Sequence, residues 1–281
     1  MFSSFGRYSH AIVARVPDNF CETQSGLIQA RQEHERFTKL LRSLGLDVIE
    51  LPADPQLPHS VYVEDTAFTV NGTALICRPG HPSRIKEVDT IRSILSKELN
   101  LPMMEINDPK AKLDGGDILF TGREIFVGVS QRTNLSGALA VASAFPEFYV
   151  TPINVPRKVL HLKSCVSMAG PDILAVSSTL EAQEILRRIA SEASFPYTTI
   201  TVNDNESANV LYINGTLILT YTHTHTLLVH RSEFPQSVAI YENKVDYKRT
   251  ETSVFELCKN QATLSSLCIL VKKSRPHHTV V

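Results

Sequence analysis

The sequence has no excess of charge of either sign. Its 28 Lys and Arg stand against 29 Asp and Glu, mixed along the chain. A nucleic-acid surface needs a basic face, and a lipid anchor of the polybasic kind needs a cluster of Lys and Arg. Neither is present. Long apolar runs are also missing; none approaches the roughly 20 residues that cross a bilayer. The opening stretch MFSSFGRYSHAIVARV has no unbroken apolar core of the signal-peptide kind. These absences predict a soluble, cytoplasmic protein that partners neither nucleic acid nor membrane, and they leave its oligomeric state open. The five cysteines, Cys21, Cys77, Cys165, Cys258 and Cys268, show no disulfide or metal-ligand spacing. They read as reduced thiols, mostly buried as small hydrophobes, with at most one chemically active. His223 and His225 would share a strand face, but a third ligand is not evident, so no metal and no other cofactor is expected.

What is present is ample apolar material, 43% of 281 residues, enough for a substantial core. The central stretch is Leu113 to Asn134, LDGGDILFTGREIFVGVSQRTN. Asp114-Gly115-Gly116-Asp117 sets two carboxylates around a glycine pair, predicting a turn at φ > 0 or a close approach by a ligand. Ile118–Phe120 and Ile125–Val129 read as a hairpin around Thr121-Gly122-Arg123-Glu124, with Arg132 exposed beyond it. A carboxylate on one side and an arginine on the other suit a ligand cationic at one end and anionic at the other. The same spacing also fits a plain hairpin with a surface ion pair.

Three further blocks carry charge in unusual places. In LPHSVYVEDTAF, Glu64 and Asp65 interrupt an apolar strand, where uncompensated burial is costly. They are either a wet bulge or strand end, or a carboxylate pair awaiting a cation. In RPGHPSR, Arg84 closes a loop before a helix over 85–99, and its planar fork suits a carboxylate. In LHLKSCVSMAG, read as a strand, His161, Lys163 and Cys165 share one face, with Cys165 as core.

The wording of these blocks resembles the dimethylarginine dimethylaminohydrolase family, in the guanidino-group-modifying pentein superfamily, over about Phe5 to Lys273. The resemblance implies an α/β fold, a five-bladed propeller of ββαβ units around a polar channel, so that residues 1–281 form a single catalytic domain. It implies hydrolysis of N-omega-methylated arginines to citrulline and a methylamine by a covalent cysteine mechanism, in arginine metabolism and nitric oxide regulation. Glu64, Asp65 and Asp114 would grip the guanidinium, Arg84 and Arg132 the α-carboxylate, and His161 would move protons. The substrate is the one partner implied, and the resemblance implies no cofactor. His59 stands where the family has an aspartate, which bears on substrate choice. In the family, the region after the first strand carries a lid. Here residues 20–30 read as a shorter loop, and no lid contact is assigned.

The last block, TLSSLCILVKK, departs from the family at its nucleophile. The family pattern is Leu-Ser/Thr-Cys before an apolar strand; here Ser266 holds the cysteine's position and Cys268 follows two residues on, on the same strand face. Three readings stay open: an engineered Cys→Ser change, a natural branch using Cys268, and a natural branch without activity. The functional alternatives are accordingly a binding or regulatory relative, or a hydrolase of another guanidino or ureido amino acid. Elsewhere a helix is expected over 30–44 with Gly45 beyond its end, another over 179–190 with Leu180, Ile185, Leu186 and Ile189 inward, and a third over 251–259.

Overall fold

Strands β1 (His10–Ala14), β7 (Ile125–Val129) and β10 (Ile173–Ser177) are apolar on both faces. A strand of that kind must be covered on two sides. The computed structural model, which describes residues 7–220, 235–259 and 261–273, shows how. Five three-stranded sheets form, each an antiparallel pair extended by a parallel third strand. The first holds β15 (Ile269–Val271), β1 and β2 (Asp47–Leu51). The second holds β3 (Ala67–Val70), β4 (Thr73–Ile76) and β5 (Met103–Glu105). The third holds β6 (Ile118–Phe120), β7 and β8 (Val150–Asn154), and the fourth β9 (Val166–Gly170), β10 and β11 (Thr198–Val202). The fifth holds β12 (Leu211–Ile213), β13 (Thr216–Thr220) and β14 (Lys248–Thr252). A helix precedes each parallel strand: α1 (Gln24–Ser43), α2 (Val88–Ser93), α3 (Leu135–Ala144), α4 (Leu180–Glu192) and α6 (Pro235–Lys244). The single turns α5 (Asn205–Ala208) and α7 (Phe255–Cys258) are the other α-helical segments among the described residues. This is the expected ββαβ array. Because β15 pairs with β1, the end of the described chain completes the sheet that its beginning started.

The core is divided in the same way. One apolar cluster fills the space between each neighbouring pair of sheets, giving five. Ala11 and Val13 of β1 face the cluster shared with the fifth sheet, while Ile12 and Ala14 face the one shared with the second. Strand alternation therefore serves two cores, and the apolar runs follow from the ring. The inner strands of the second to fifth sheets and β15 begin at residues 67, 118, 166, 211 and 269. Among the described residues no helix is long and apolar enough to cross a membrane.

Hairpin turns match the sequence reading. Asn71-Gly72 and Asn214-Gly215 all take positive φ, as a two-residue primed turn requires, and Gly122 does so at φ 87°. Other expectations need correction. Residues 24–30 are helix, not loop: Thr23 accepts from Gly26 N at 3.2 Å as N-cap, and Leu27 and Ala30 continue the buried face of Phe37 and Leu41. Leu180 is 85% exposed because it opens α4 on the solvent side, and Ala182 takes the inward place instead. Over 251–259 only α7 is helical, preceded by β14. The histidines 223 and 225 lie outside the described residues.

Ile185 and Leu180 make the helix assignment testable. Ile185→Ala should cost roughly 2–5 kcal/mol in urea unfolding, whereas Leu180→Ser should stay within about 0.5 kcal/mol.

Candidate active site

Each inner strand is entered through a tight turn. Short 3₁₀ turns cover Val63–Thr66, Gly115–Asp117, Leu162–Ser164 and Leu264–Leu267, and α5 holds the equivalent place before β12. Successive turns touch one another, so their side chains meet near the axis of the ring. Three expectations change here. The sequence pattern places Glu64 and Asp65, His161 and Lys163, and Ser266 and Cys268 on strands, whereas the structure places them in or beside turns. Their turns have three residues per repeat rather than two, so residues two apart do not share a face.

A cavity of about 140 Å³ collects seven of the nine expected site residues: His59, Asp65, Arg84, Asp114, Arg132, His161 and Ser266. Tyr62, His81, Leu160 and Ala262 complete its lining. Glu64 and Cys268 are not brought into it. They line a second cavity of about 140 Å³ with Tyr8, Phe68, Lys163 and Ser265. Cys268 leaves the 264–267 turn in extended conformation and lies buried against the core shared by the first and fifth sheets. Burial pushes its thiol pKa well up. Glu64 spans to Lys163 Nζ at 2.5 Å and accepts from Ser265 Oγ at 3.0 Å. Asn209 buttresses that layer, donating to Lys163 O at 2.8 Å and accepting from Ser265 N at 2.9 Å.

Within the first cavity the charges are paired. His161 Nε2 lies 2.9 Å from Asp114 Oδ2 and 3.9 Å from Asp65 Oδ1. Asp114 also accepts from Gly80 N at 2.7 Å, and Asp65 from Gly116 N at 2.9 Å. Arg84 donates to Asp65, to both oxygens of Glu87 and to the Tyr62 carbonyl. Arg132 has no ion-pair partner among the described residues. Burial alone would lower the pKa of His161, but Asp65 and the hydrogen bond with Asp114 outweigh it and hold it at about 9. Burial likewise opposes ionisation of Asp65, yet His161 and Arg84 hold it down at about 2. Behind His161, buried Asp117 is pushed up to about 6 by desolvation, while its carboxyl accepts from Leu162 N and Ser130 Oγ. The ligand atoms of Asp65, Asp114 and His161 lie within 4.8 Å of one another. They are the described residues able to hold a metal ion, but Arg84 already sits on Asp65.

The glycine pair works by close approach, not by positive φ. Neither Gly115 nor Gly116 is left-handed. A Cβ on Gly115 would stand 1.9 Å from the Glu64 carbonyl, and one on Gly116 2.8 Å from His161 Nδ1 and 2.9 Å from Asp65 Oδ1. What approaches is the protein's own turn. Sequence reasoning missed Glu87, Gly80 and Asn209. Asn209 sits in a stretch with no local signal, and Glu87 is simply one turn on from Arg84.

A five-unit ring of ββαβ sheets with a polar centre is the pentein α/β propeller. Solved structures agree. The dimethylarginine dimethylaminohydrolase of Pseudomonas aeruginosa, a cysteine-to-serine mutant complexed with citrulline, superposes at TM-score 0.76 and 22% identity, covering 95% of this chain and all of the other. The N-terminal domain of ArgZ, a cyanobacterial arginine dihydrolase bound to product, does so at 0.73 and 15%, covering 95% and 98%. These likenesses establish the fold. The profile of the eukaryotic N,N dimethylarginine dimethylhydrolase family matches residues 19–217. A human protein, "Putative hydrolase DDAH2", is 37% identical over 285 residues, 97% of each chain. The Pseudomonas aeruginosa enzyme is 27% identical over 217 residues, 74% of this chain and 83% of its own. The chain belongs to the eukaryotic N,N dimethylarginine dimethylhydrolase family.

Two tests follow from the geometry. Gly115→Ala forces the Glu64 peptide to move and should cost about 1–3 kcal/mol or more in unfolding free energy. The pKa of His161 is raised above its unfolded value of 6.5, so its ion pairs contribute fully below that pH and are lost as pH rises through about 9. Urea midpoints should therefore fall between about pH 7 and pH 10, and His161→Gln should remove most of that fall.

Proposed function

We propose that this protein hydrolyses N-omega-methylated arginines, asymmetric dimethylarginine and monomethylarginine, to citrulline and a methylamine. The observation that carries this reading is the convergence of Asp65, Asp114, Arg84, Arg132 and a cationic His161 on one cavity faced by residue 266. A pure scaffold has no reason to bring that set together. The names of its relatives point to the same chemistry. The reaction adds water across the bond between the guanidinium carbon and the methylated nitrogen. His161, protonated near neutral pH, donates the proton that lets the amine depart, then accepts one from the water that completes the ureido group. Arg132 receives the α-carboxylate, while Asp65 and Asp114 orient the reacting end.

In the covalent route a thiolate first attacks the guanidinium carbon, and water then releases citrulline from the thiouronium intermediate. The group standing in this cavity is the Ser266 hydroxyl, already engaged with Thr263 N and Oγ1 at 3.2 Å each. An alkoxide is far harder to form than a thiolate near neutral pH. Cys268 enters the route only if the 264–267 turn unwinds and carries it forward. That one observation keeps a second reading in view, a relative that binds the amino acid without turning it over. The chain acts as one catalytic domain in this proposal, in the cytoplasm, within arginine metabolism and nitric oxide regulation. Its five free cysteines and paired central charges agree with a reducing compartment and a small polar ligand.

Citrulline release from asymmetric dimethylarginine tests the proposal. His161→Gln should lower turnover by about 100-fold or more, and Arg132→Ala should raise KM by roughly tenfold or more. Loss of activity in Cys268→Ser would identify the shifted thiol as nucleophile. Activity that appears only in Ser266→Cys would show that the chain with Ser266 is catalytically disabled.

A further inference from the structure

Asp117 is fully buried behind the first cavity and does not line it. Both of its oxygens are nevertheless taken by segments that do. Oδ1 accepts at 2.8 Å from Leu162 N, the amide that follows His161. Oδ2 accepts from Ser130 Oγ at 2.7 Å. That hydroxyl in turn accepts from Arg132 N at 3.0 Å and Thr133 N at 3.2 Å, so its one proton is left for Asp117. Thr133 Oγ1 accepts from Asp114 N at 3.0 Å, which returns the chain of bonds to the partner of His161. Space for the carboxylate comes from β7. A Cβ on Gly128 would stand 2.5 Å from Asp117 Oδ1 and 2.8 Å from Leu162 Cβ. The Arg132 peptide packs as closely on Gly80, where a Cβ would lie 2.1 Å from its carbonyl oxygen.

These contacts call for a carboxylate. The Leu162 N–H and the Ser130 O–H are both donors, and an ionised acid only accepts, whereas an amide could accept from just one of them. Burial makes such a charge costly and pushes the pKa up to about 6, so near neutral pH the group is ionised and faces a cationic His161. Arg132, with no ion-pair partner among the described residues, has its guanidinium placed from the main chain outward. We propose that Asp117 is a positioning residue that fixes the separation between the two ends of the site, holding the turn that carries His161 with one oxygen and the loop that carries Arg132 with the other. It touches neither end of a ligand itself. The role rests on the proposed reading of the cavity as an amino-acid site, with His161 at the reacting end and Arg132 at the α-carboxylate.

Two variants of the full chain separate the arms. Asp117→Asn keeps the shape and one acceptor, while Ser130→Ala cuts only the link to Arg132. Ring NMR of His161, assigned by its loss in His161→Gln, reads one arm. Isothermal titration with L-citrulline reads the other, and neither needs turnover. The His161 ring feels Asp65, Asp114 and Asp117. Asp117→Asn should lower its titration midpoint by about one pH unit, the effect of one lost neighbouring charge, and should weaken citrulline binding. Ser130→Ala should raise the citrulline Kd by about tenfold and leave the midpoint nearly where it is. Should Asp117→Asn fail to fold, Ser130→Ala carries the test. An unchanged midpoint in Asp117→Asn overturns the His161 arm, and an unchanged Kd in Ser130→Ala overturns the Arg132 arm. Lower thermal stability with neither readout moved makes Asp117 a packing residue and overturns the proposal. If the unaltered chain binds no citrulline, the amino-acid reading falls, and the His161 midpoint alone decides whether the brace stands.

Discussion

One buried carboxylate, Asp65, holds the centre of the molecule together. Isolated at 4% exposure it would cost several kcal/mol. Three neighbours offset that cost, each from a different segment: Arg84 from the turn Pro82–Glu87, the Gly116 amide from the turn before β6, and His161 from the turn before β9. Each neighbour imposes a local demand. Gly116 must have no side chain, since a Cβ would meet His161 and Asp65 together. Arg84 must be buried, and Glu87 is buried with it to match its second face. A partial substitution is therefore worse than none. Removing one partner leaves the others charged and dry, which costs about 3–5 kcal/mol in a buried pair.

The ring explains why such a network exists at this place. The five interfaces between sheets are mainly apolar, though Glu33 and Glu124 are buried outside the inner turns. The inner turns carry Glu64, Asp65, Asp114, Asp117 and His161. Each turn begins or ends with backbone groups that its own hydrogen bonds do not use, and side chains from the preceding turn satisfy them. Asp117 accepts from Leu162 N, Asn209 from Ser265 N, and Asp65 from Gly116 N. The same side chains that close the turns define the cavity. Site geometry and fold geometry are a single problem here, so the pKa of His161 reports on both.

Sequence pattern resolved the units well and the centre poorly, for one reason. Hairpins announce themselves through Asn-Gly pairs, and strands through apolar runs, both local signals. The central turns are three- and four-residue segments inside those runs, so VYVEDTAF and LHLKSCVSM read as strands with charges in them. Their charges mark residues that face the two cavities, with the wrong periodicity. An acid or histidine in an apolar run needs a partner, which marks Asp65 and His161; His59 and Ser266 are marked only by the family resemblance, and Asn209 and Gly80 are reached only through the closed ring. The start of α1 was hidden by Gly26, a residue that argues for loop unless one knows that Glu256 lies 2.6 Å from where its Cβ would be.

The Ser266 and Cys268 question depends on the same closure. The layer of Glu64, Lys163, Ser265 and Asn209 separates the two cavities, and the two residues fall on opposite sides of it. Side-chain rotation cannot exchange them. A two-residue slide would preserve the alternation of β15, since strand side chains repeat every two residues. It would also move the pairs His10↔Val271, Ala11↔Leu270 and Ile12↔Ile269, which are the whole β1–β15 register. It would further undo the Thr263–Ser266 capping pair and withdraw Ser265 from Glu64 and Asn209. A thiol facing His161 and a ring closed in this register are therefore alternatives. With the ring closed as it stands, His161, its two carboxylates and the Ser266 hydroxyl face the first cavity, and Cys268 faces the second.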